Sequence, residues 1–291
     1  MDVGAVAQLW RYPVKSMVGE RIVDAEVDDR GLVGDRGWAA RDEERGGIRG
    51  AKKIGPLMRL QARYLEEPTA ANRAPHVQIT LPDGAGTVTT DDPNVHDLVS
   101  KALDHRVTLW PLQPKSDTDH YRRGPADSDD LVEELRDIFG RTETEPLPDL
   151  SVFPPEIVEF ESPPGTYYDA FPIHVVTTAS LRTLARLSPD SHVDVRRFRP
   201  NVLVDTPDDA DDAFPEAGWL GTRLRLGDGV ELDVVAPCPR CVMVTRRVGD
   251  DLGRDRPLLR TIVREADQNV GVYATVVTGG RIAEGDAVAL S

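Results

Sequence analysis

Glycine and proline set the grain of this chain. It carries 24 of the first and 23 of the second among 291 residues. A helical bundle does not tolerate that density, because glycine raises the entropy cost of ordering and proline removes a backbone donor. Between these residues lie short runs of β-forming type bounded by turns. The runs predict strands at 4–12 and 20–27 on either side of Gly19, at 38–41 and 106–110, and a hairpin 76–81/86–90 over Pro82-Asp83-Gly84. Asp92-Pro93 opens a predicted helix carrying Val95, Leu98, Val99 and Ala102 at helical spacing. A second set of strands is expected at 173–176, 202–205, 223–226, 230–235, 242–245, 270–277 and 287–290. Helices are expected at 178–187, capped by Thr178 or Ser180, and at 258–265, with an acidic loop at 208–212.

The middle of the chain differs. Residues 114–128 are polar, and 141–164 contain Pro146, Pro148, Pro154, Pro155, Pro163 and Pro164. Between them, 128–139 reads as an amphipathic helix with Leu131, Leu135, Ile138 and Phe139 on one face and Gly140 as its stop. The expected class is therefore α+β, dominated by β-barrel-like modules. Its expected parts are an N-terminal β-barrel-like module over 1–115, a helical connector over 116–149 and a second β-rich domain over 150–291.

Charge narrows the partners. Asp and Glu number 50 against 35 Lys and Arg, a net charge of −15. Such a body repels phosphate backbones and anionic membrane surfaces, and no Lys/Arg stripe interleaved with aromatics offsets it. An anionic ligand requires a local basic cluster working against the overall field. No run of 18 apolar residues occurs, and 1–10 lacks the basic start and apolar stretch of a secretion signal. Two cysteines do not make a disulfide framework, so a reducing cytoplasmic setting is expected.

Those cysteines stand as Cys238-Pro239-Arg240-Cys241. Half a zinc site is one reading, but four ligands are needed and the six histidines are scattered. A dithiol redox pair is another, yet that chemistry favours a helix N-terminus and the flanks here read as strands. A plain buried pair is the third. The neighbourhood adds Arg196-Arg197-Phe198-Arg199-Pro200-Asn201, a dense basic run in an acidic chain. An arginine there could fork onto a phosphate with Asn201 adding an amide, or the run could be a solvated face. Tyr12-Pro13-Val14-Lys15-Ser16 supplies a further cation near the start of the chain.

Taken in order, Tyr12-Pro13-Val14-Lys15-Ser16, Gly34-Asp35-Arg36, Arg197-Phe198-Arg199-Pro200-Asn201 and Pro239-Arg240-Cys241 resemble the MOSC-domain proteins, named for the molybdenum cofactor sulfurase C-terminal domain. Gly165-Thr166-Tyr167-Tyr168-Asp169, Gly271-Val272-Tyr273 and Glu284-Gly285-Asp286 fit as well. The chain is most similar to the subgroup with an N-terminal MOSC β-barrel module, which includes the mitochondrial amidoxime-reducing component and its bacterial relatives. The likeness covers 5–60 and 160–290 well and 61–150 loosely. It implies a MOSC-type, pyruvate-kinase-barrel-like domain over 150–291 and a molybdenum–molybdopterin cofactor. By the same resemblance Cys241 is the metal ligand, while Lys15, Ser16, Arg36, Arg199, Asn201, Arg240 and Tyr273 hold the pterin and its phosphate. Asp169 matches an acidic residue near the metal that could relay a proton, and Cys238 falls where no ligand role is implied.

Some positions depart from the family. Gly50-Ala51-Lys52 stands where relatives have Thr-Ala-Arg, and Ala170 and Phe171 replace serines. Pro239 lacks an N–H, and Arg246-Arg247-Val248-Gly249-Asp250 replaces an Asp-Pro-rich continuation. The function implied is a molybdenum-dependent oxidoreductase acting on small N-oxygenated molecules: hydroxylamines, amidoximes or N-hydroxylated bases. A plant-type iron–sulfur domain needs four cysteines, so electrons are expected from a separate flavin, haem or iron–sulfur protein. The alternatives are a carrier holding the cofactor or a persulfide on Cys241, and a metal-free fold with structural cysteines.

Overall fold

Three ten-residue strand runs, β1 (Asp2–Arg11) and the later Val230–Pro239 and Asn269–Thr278, are the longest β segments and form much of a barrel wall. The computed structural model describes residues 1–207 and 213–291, so the acidic stretch at 208–212 lies outside the described residues. After β1 the first half carries β2 (Glu20–Ile22), β3 (Asp24–Asp28), β4 (Gly31–Leu32), β5 (Trp38–Asp42), β6 (Gln61–Tyr64), β7 (Val77–Thr80), β8 (Thr87–Thr89) and β9 (Val107–Pro111). The second half adds β10 (Ile173–Thr177), β11 (Val202–Asp205), β12 (Arg223–Leu226), β13 (Val230–Pro239), β14 (Asn269–Thr278), β15 (Gly280–Ala283) and β16 (Ala287–Leu290).

Seven strands close a barrel in the order β11-β10-β14-β13-β12-β16-β1, with β1 pairing back onto β11. The one parallel step in it, β10 to β11, is spanned by the helix Thr178–Leu187, as a parallel connection requires a crossover. The barrel is filled by alternate apolar side chains such as Val175, Val204, Leu224, Leu232 and Val272, together with Val6 and Leu9 of β1. Ala25, Val27 and Leu32 from β3 and β4 join the same core, because β3 pairs with β15. Exchange runs the other way too. The core around Val14, Trp38, Leu57, Ile79 and Val99 takes in Met243, Val248 and Leu252 from the second half. Each half of the sequence thus completes the core of the other.

Several local expectations are revised. Residues 242–245 form a single 3-10 turn with Cys241 at its N-cap, not a strand. The ladder of β13 already slips between Val234 and Ala236 and between Pro237 and Pro239, where prolines cannot donate. Helix 178–187 is capped by Thr177, whose hydroxyl accepts from the Ser180 amide, while the Thr178 hydroxyl donates to Asp205. The helix expected from 258 starts at Arg256, capped by Asp255. The run 20–27 breaks at Val23, which is exposed, so β2 serves β1 while β3 serves β15. The connector helix spans Leu131–Phe139, with Asp130 capping two amides and Gly140 in the left-handed region at φ 61°. Its apolar face is only half covered. Leu131 and Val132 are exposed, and the buried residue is Glu134, drawn in by Lys53 at 2.6 Å. Among the described residues no helix is long and apolar enough to cross a membrane.

Candidate functional site

The slipped end of β13 delivers Cys241, half-buried, to the wall of a cavity of about 140 Å³. Among the described residues, five cations line it, Arg36, Lys52, Arg123, Arg199 and Arg240, against two carboxylates, Asp169 and Glu161. Cations outnumber carboxylates here, against the net negative charge of the whole chain.

Arg199 is held most tightly. It follows the four-residue helix Val195–Phe198 in the left-handed region at φ 59°, a strained setting for a residue with a Cβ. Its guanidinium lies 4.1 Å from the centre of the Tyr12 ring, and its Nη1 donates to the Met17 carbonyl. Arg36, also in the left-handed region at φ 52°, sits 5.3 Å from the same ring and pairs with Asp35. Tyr12 is fixed in turn by donating to the Pro200 carbonyl at 3.0 Å. Burial pulls Arg199 down to about 10. Among the described residues no carboxylate bonds it, and its Nη2 is buried without a hydrogen-bond partner.

Arg240 repeats this pattern. Its Nη1 donates to Cys238 Sγ at 2.8 Å and its Nη2 to the Phe198 carbonyl at 2.8 Å, while its Nε is buried and unpartnered. Cys238 is buried, and burial pushes its thiol up. His174, on β10, packs 5.4 Å from Tyr273 and lies 3.4 Å from Arg240 Nη1. Burial first, and then the nearby Arg240 charge, pull His174 down to about 3, so its ring is neutral. Gly271 makes this packing possible: a Cβ there would stand 2.4 Å from His174 Nε2.

Asp169 is clamped, accepting from Lys15 Nζ at 2.8 Å with Lys52 Nζ at 3.5 Å. Although burial opposes ionisation, the two ammonium groups hold its carboxyl well below the usual range. Asp169 is therefore a carboxylate at neutral pH. Phe139, Leu150, Phe153 and Ile157 add apolar side chains to the same lining.

Of the residues singled out in the sequence, Arg36, Asp169, Arg199, Asn201, Arg240, Cys241 and Tyr273 line this one cavity. Lys15 and Ser16 do not. Lys15 is buried behind Asp169, donating also to the Tyr167 carbonyl at 2.8 Å and Ser162 Oγ at 3.2 Å. Ser16 Oγ accepts from the Ala51 amide at 2.9 Å and so fixes the loop that carries Lys52. The Asn201 amide group is engaged in the barrel, its Oδ1 accepting from the His174 amide at 3.1 Å and its Nδ2 facing the Trp10 carbonyl at 3.4 Å. The rest of the basic run has other partners. Arg197 donates to the carbonyls of His192, Val244, Arg246 and Gly253, and Arg196 pairs with Asp194 and Asp251. Among the charged and titratable lining residues, Arg123, Glu161 and His174 carried no signal in the sequence, while Lys52 stood out only as a lysine where relatives have an arginine.

Among the described residues, no three His, Cys, Asp or Glu side chains gather as a metal site, so the half-zinc reading has no partners. Residues 163–289 match the MOSC domain, and 3–110 match the MOSC N-terminal beta barrel domain. Mitochondrial amidoxime reducing component 2 of Rattus norvegicus is 31% identical over 273 residues, covering 88% of this chain and 71% of its own. The protein of the same name from Homo sapiens is 29% identical over 272 residues with the same coverage. Among solved structures, the YUAD protein from Bacillus subtilis spans 99% of this chain and 95% of its own at 12% identity and a TM-score of 0.42, too distant to argue from. The chain belongs to the MOSC-domain family, in the group that carries the MOSC N-terminal beta barrel.

Proposed function

We propose that this chain is a molybdenum-cofactor-dependent oxidoreductase that reduces N-oxygenated substrates with electrons from a separate redox protein. The observation that carries the reading is one cavity holding a half-buried thiol beside two arginines that each keep a buried N–H without a partner. Leaving such a charged donor unsatisfied costs more than about 1–3 kcal/mol, which a bound anion would recover. A pterin phosphate supplies that anion, and a soft metal suits the lone thiolate, its other ligands coming from the pterin. The residues present therefore fit the group.

The reaction balances as R–C(=NOH)NH₂ + 2e⁻ + 2H⁺ giving R–C(=NH)NH₂ + H₂O. Bound molybdenum supplies the oxygen acceptance and two-electron passage, as cofactor rather than protein chemistry. Cys241 holds the metal, and Arg36, Arg199 and Arg240 hold the phosphate. Tyr273 and Asn201 shape the wall, Asn201 by pinning the backbone of His174. Asp169 acts as the counter-ion that orients Lys15 and Lys52. Lys15 and Ser16 support the cavity from behind. Phe139, Leu150, Phe153 and Ile157 make the wall that Cys241 shares partly apolar.

The relatives named amidoxime reducing components support the substrate class, and two free cysteines suit a reducing compartment. The test is anaerobic turnover of an amidoxime by cofactor-loaded protein with a reduced viologen as artificial donor. Turnover with viologen but none with NADH or NADPH alone is the expected result. Absence of turnover, with stoichiometric release of the cofactor to an apo-acceptor, would replace the enzyme with a carrier.

A further inference from the structure

Cys241 is held at both ends of its turn by arginines that lie outside the cavity wall. Before it, Arg141 Nη2 donates at 3.1 Å to the Arg240 carbonyl, the oxygen of the peptide that joins Arg240 to Cys241. The Arg240 N–H is held as well, donating to the Gln268 carbonyl at 2.8 Å. Arg141 Nε donates to Gln268 Oε1 at 3.2 Å and its Nη1 to the Phe139 carbonyl at 2.6 Å, which closes the clamp. After Cys241, Arg246 caps the 3-10 turn, and its Nη2 donates to the Lys52 carbonyl at 3.2 Å. Its guanidinium lies against Gly55, where a Cβ would stand 3.0 Å from Nη1.

We propose that Arg141 and Arg246 are positioning residues for the metal ligand: they fix the backbone on either side of Cys241 and set a positive field around its sulfur. The inference rests on the function proposed above and adds the tuning of its metal. Neither arginine lines the cavity, so neither is placed to hold the pterin phosphate. Among the described residues neither is bonded to a carboxylate. Glu145, which acts on Arg141 through space, is bonded by Arg260 instead, and Arg246 Nε is buried without a partner. Burial pulls both guanidiniums down, helped by Arg260 at Arg141 and by Arg254 and Arg256 at Arg246. Cys241, as an anion, works the other way at both. A buried cation is costly unless an anion answers it, and Cys241 is the anion these two share. Groups around a ligand tune the metal it holds, and a cation there favours the reduced, more negative state. Arginine keeps its charge at any working pH, so this field is permanent.

Arg141→Gln and Arg246→Gln remove the charge, while Arg141→Lys and Arg246→Lys keep it with fewer donors. Cofactor-loaded protein is read by redox titration of the molybdenum EPR signal, and cofactor-free protein by amide exchange over 240–246. A unit charge acting over about 10 Å through protein of effective dielectric about 20 is worth roughly tenfold in an equilibrium. Each glutamine variant should therefore favour the oxidised metal by about tenfold at fixed potential, a one-electron fall of about 59 mV. The lysine variants should stay near the wild-type potential. Exchange over 240–246 should rise in the glutamine variants while the rest of the chain keeps its protection. Should Arg141→Gln fail to fold, Arg246→Gln, at a half-buried position, carries the test. Loaded variants with the wild-type potential overturn the inference alone, as does an equal fall with lysine and glutamine, which marks a role in folding only. Wild-type protein that takes up no molybdenum refutes the proposed function, and this inference with it.

Discussion

Arg199→Met separates a residue kept for a ligand from one kept for the fold. In the chain without cofactor, Arg199 is 7% exposed and bonded to no carboxylate among the described residues. Burial lowers it from 12.5 to about 10, and at 1.36 kcal/mol per pH unit this is a penalty of about 3 kcal/mol. Arginine is charged at pH 7 in both folded and unfolded chains. The penalty is therefore fully present there and lifts only as pH rises through 10 toward 12.5. Methionine removes it and fills a similar volume. Against that gain stand the lost bond to Met17 O, about 1.5–3 kcal/mol, and the contact with Tyr12, about 1–2 kcal/mol. The two sides nearly cancel. The cofactor-free variant should unfold within about 1 kcal/mol of wild type. In the loaded protein the same substitution removes a charge-assisted contact to phosphate, so cofactor affinity should fall by about 10²-fold and the ligand-dependent rise in Tm should shrink accordingly. Urea unfolding of cofactor-free protein and calorimetry of loaded protein give both numbers. A large loss of stability without cofactor, or an undiminished rise in Tm with it, would refute the reasoning.

Other perturbations follow the same physics. His174 is neutral and held near 3, so the unfolded chain takes up a proton below about 6.5 that the folded chain refuses, and stability falls as pH falls. Between pH 7 and pH 5 this costs about 2 kcal/mol in urea unfolding, and His174→Gln should remove most of that decline. Arg197→Met strips four backbone carbonyls of a common donor and should cost about 3–5 kcal/mol, with amide exchange rising selectively across 242–253; unchanged exchange there would refute the clamp. Asp169→Asn keeps an oxygen that can accept from Lys15 Nζ but removes the charge that pairs with the buried ammonium, and should cost about 1 kcal/mol. A urea midpoint equal to wild type would show that the ion pair does not matter to the fold.

Alternation made the barrel legible, because strands such as 223–226 and 230–235 must put every second side chain inward. It failed at 242–245, where Val-Met-Val-Thr has strand composition but follows a proline-broken ladder and packs into two cores through Met243 and Val244. Helix 131–139 shows a second limit. Its pattern was visible, yet what buries Glu134 is Lys53, a partner 81 positions away. The basic run 196–201 was legible as a cluster. Composition alone left open which arginine faces the cavity and only the family resemblance pointed to Arg199, since Arg196 and Arg197 are claimed by Asp251 and by carbonyls from 244–253 that the fold alone brings near. Lys15 points the same way: its company with Asp169 spans 154 positions, so its place behind the wall came only with the fold.

The most direct measurement is molybdenum and pterin content of protein from a host that makes the cofactor, beside Cys241→Ser and Cys238→Ala. The account predicts near-stoichiometric molybdenum and pterin in the wild type. Cys241→Ser should keep the fold and lose the metal, while Cys238→Ala should keep the metal. Well-folded wild-type protein with neither molybdenum nor pterin, or full molybdenum in Cys241→Ser, would contradict it.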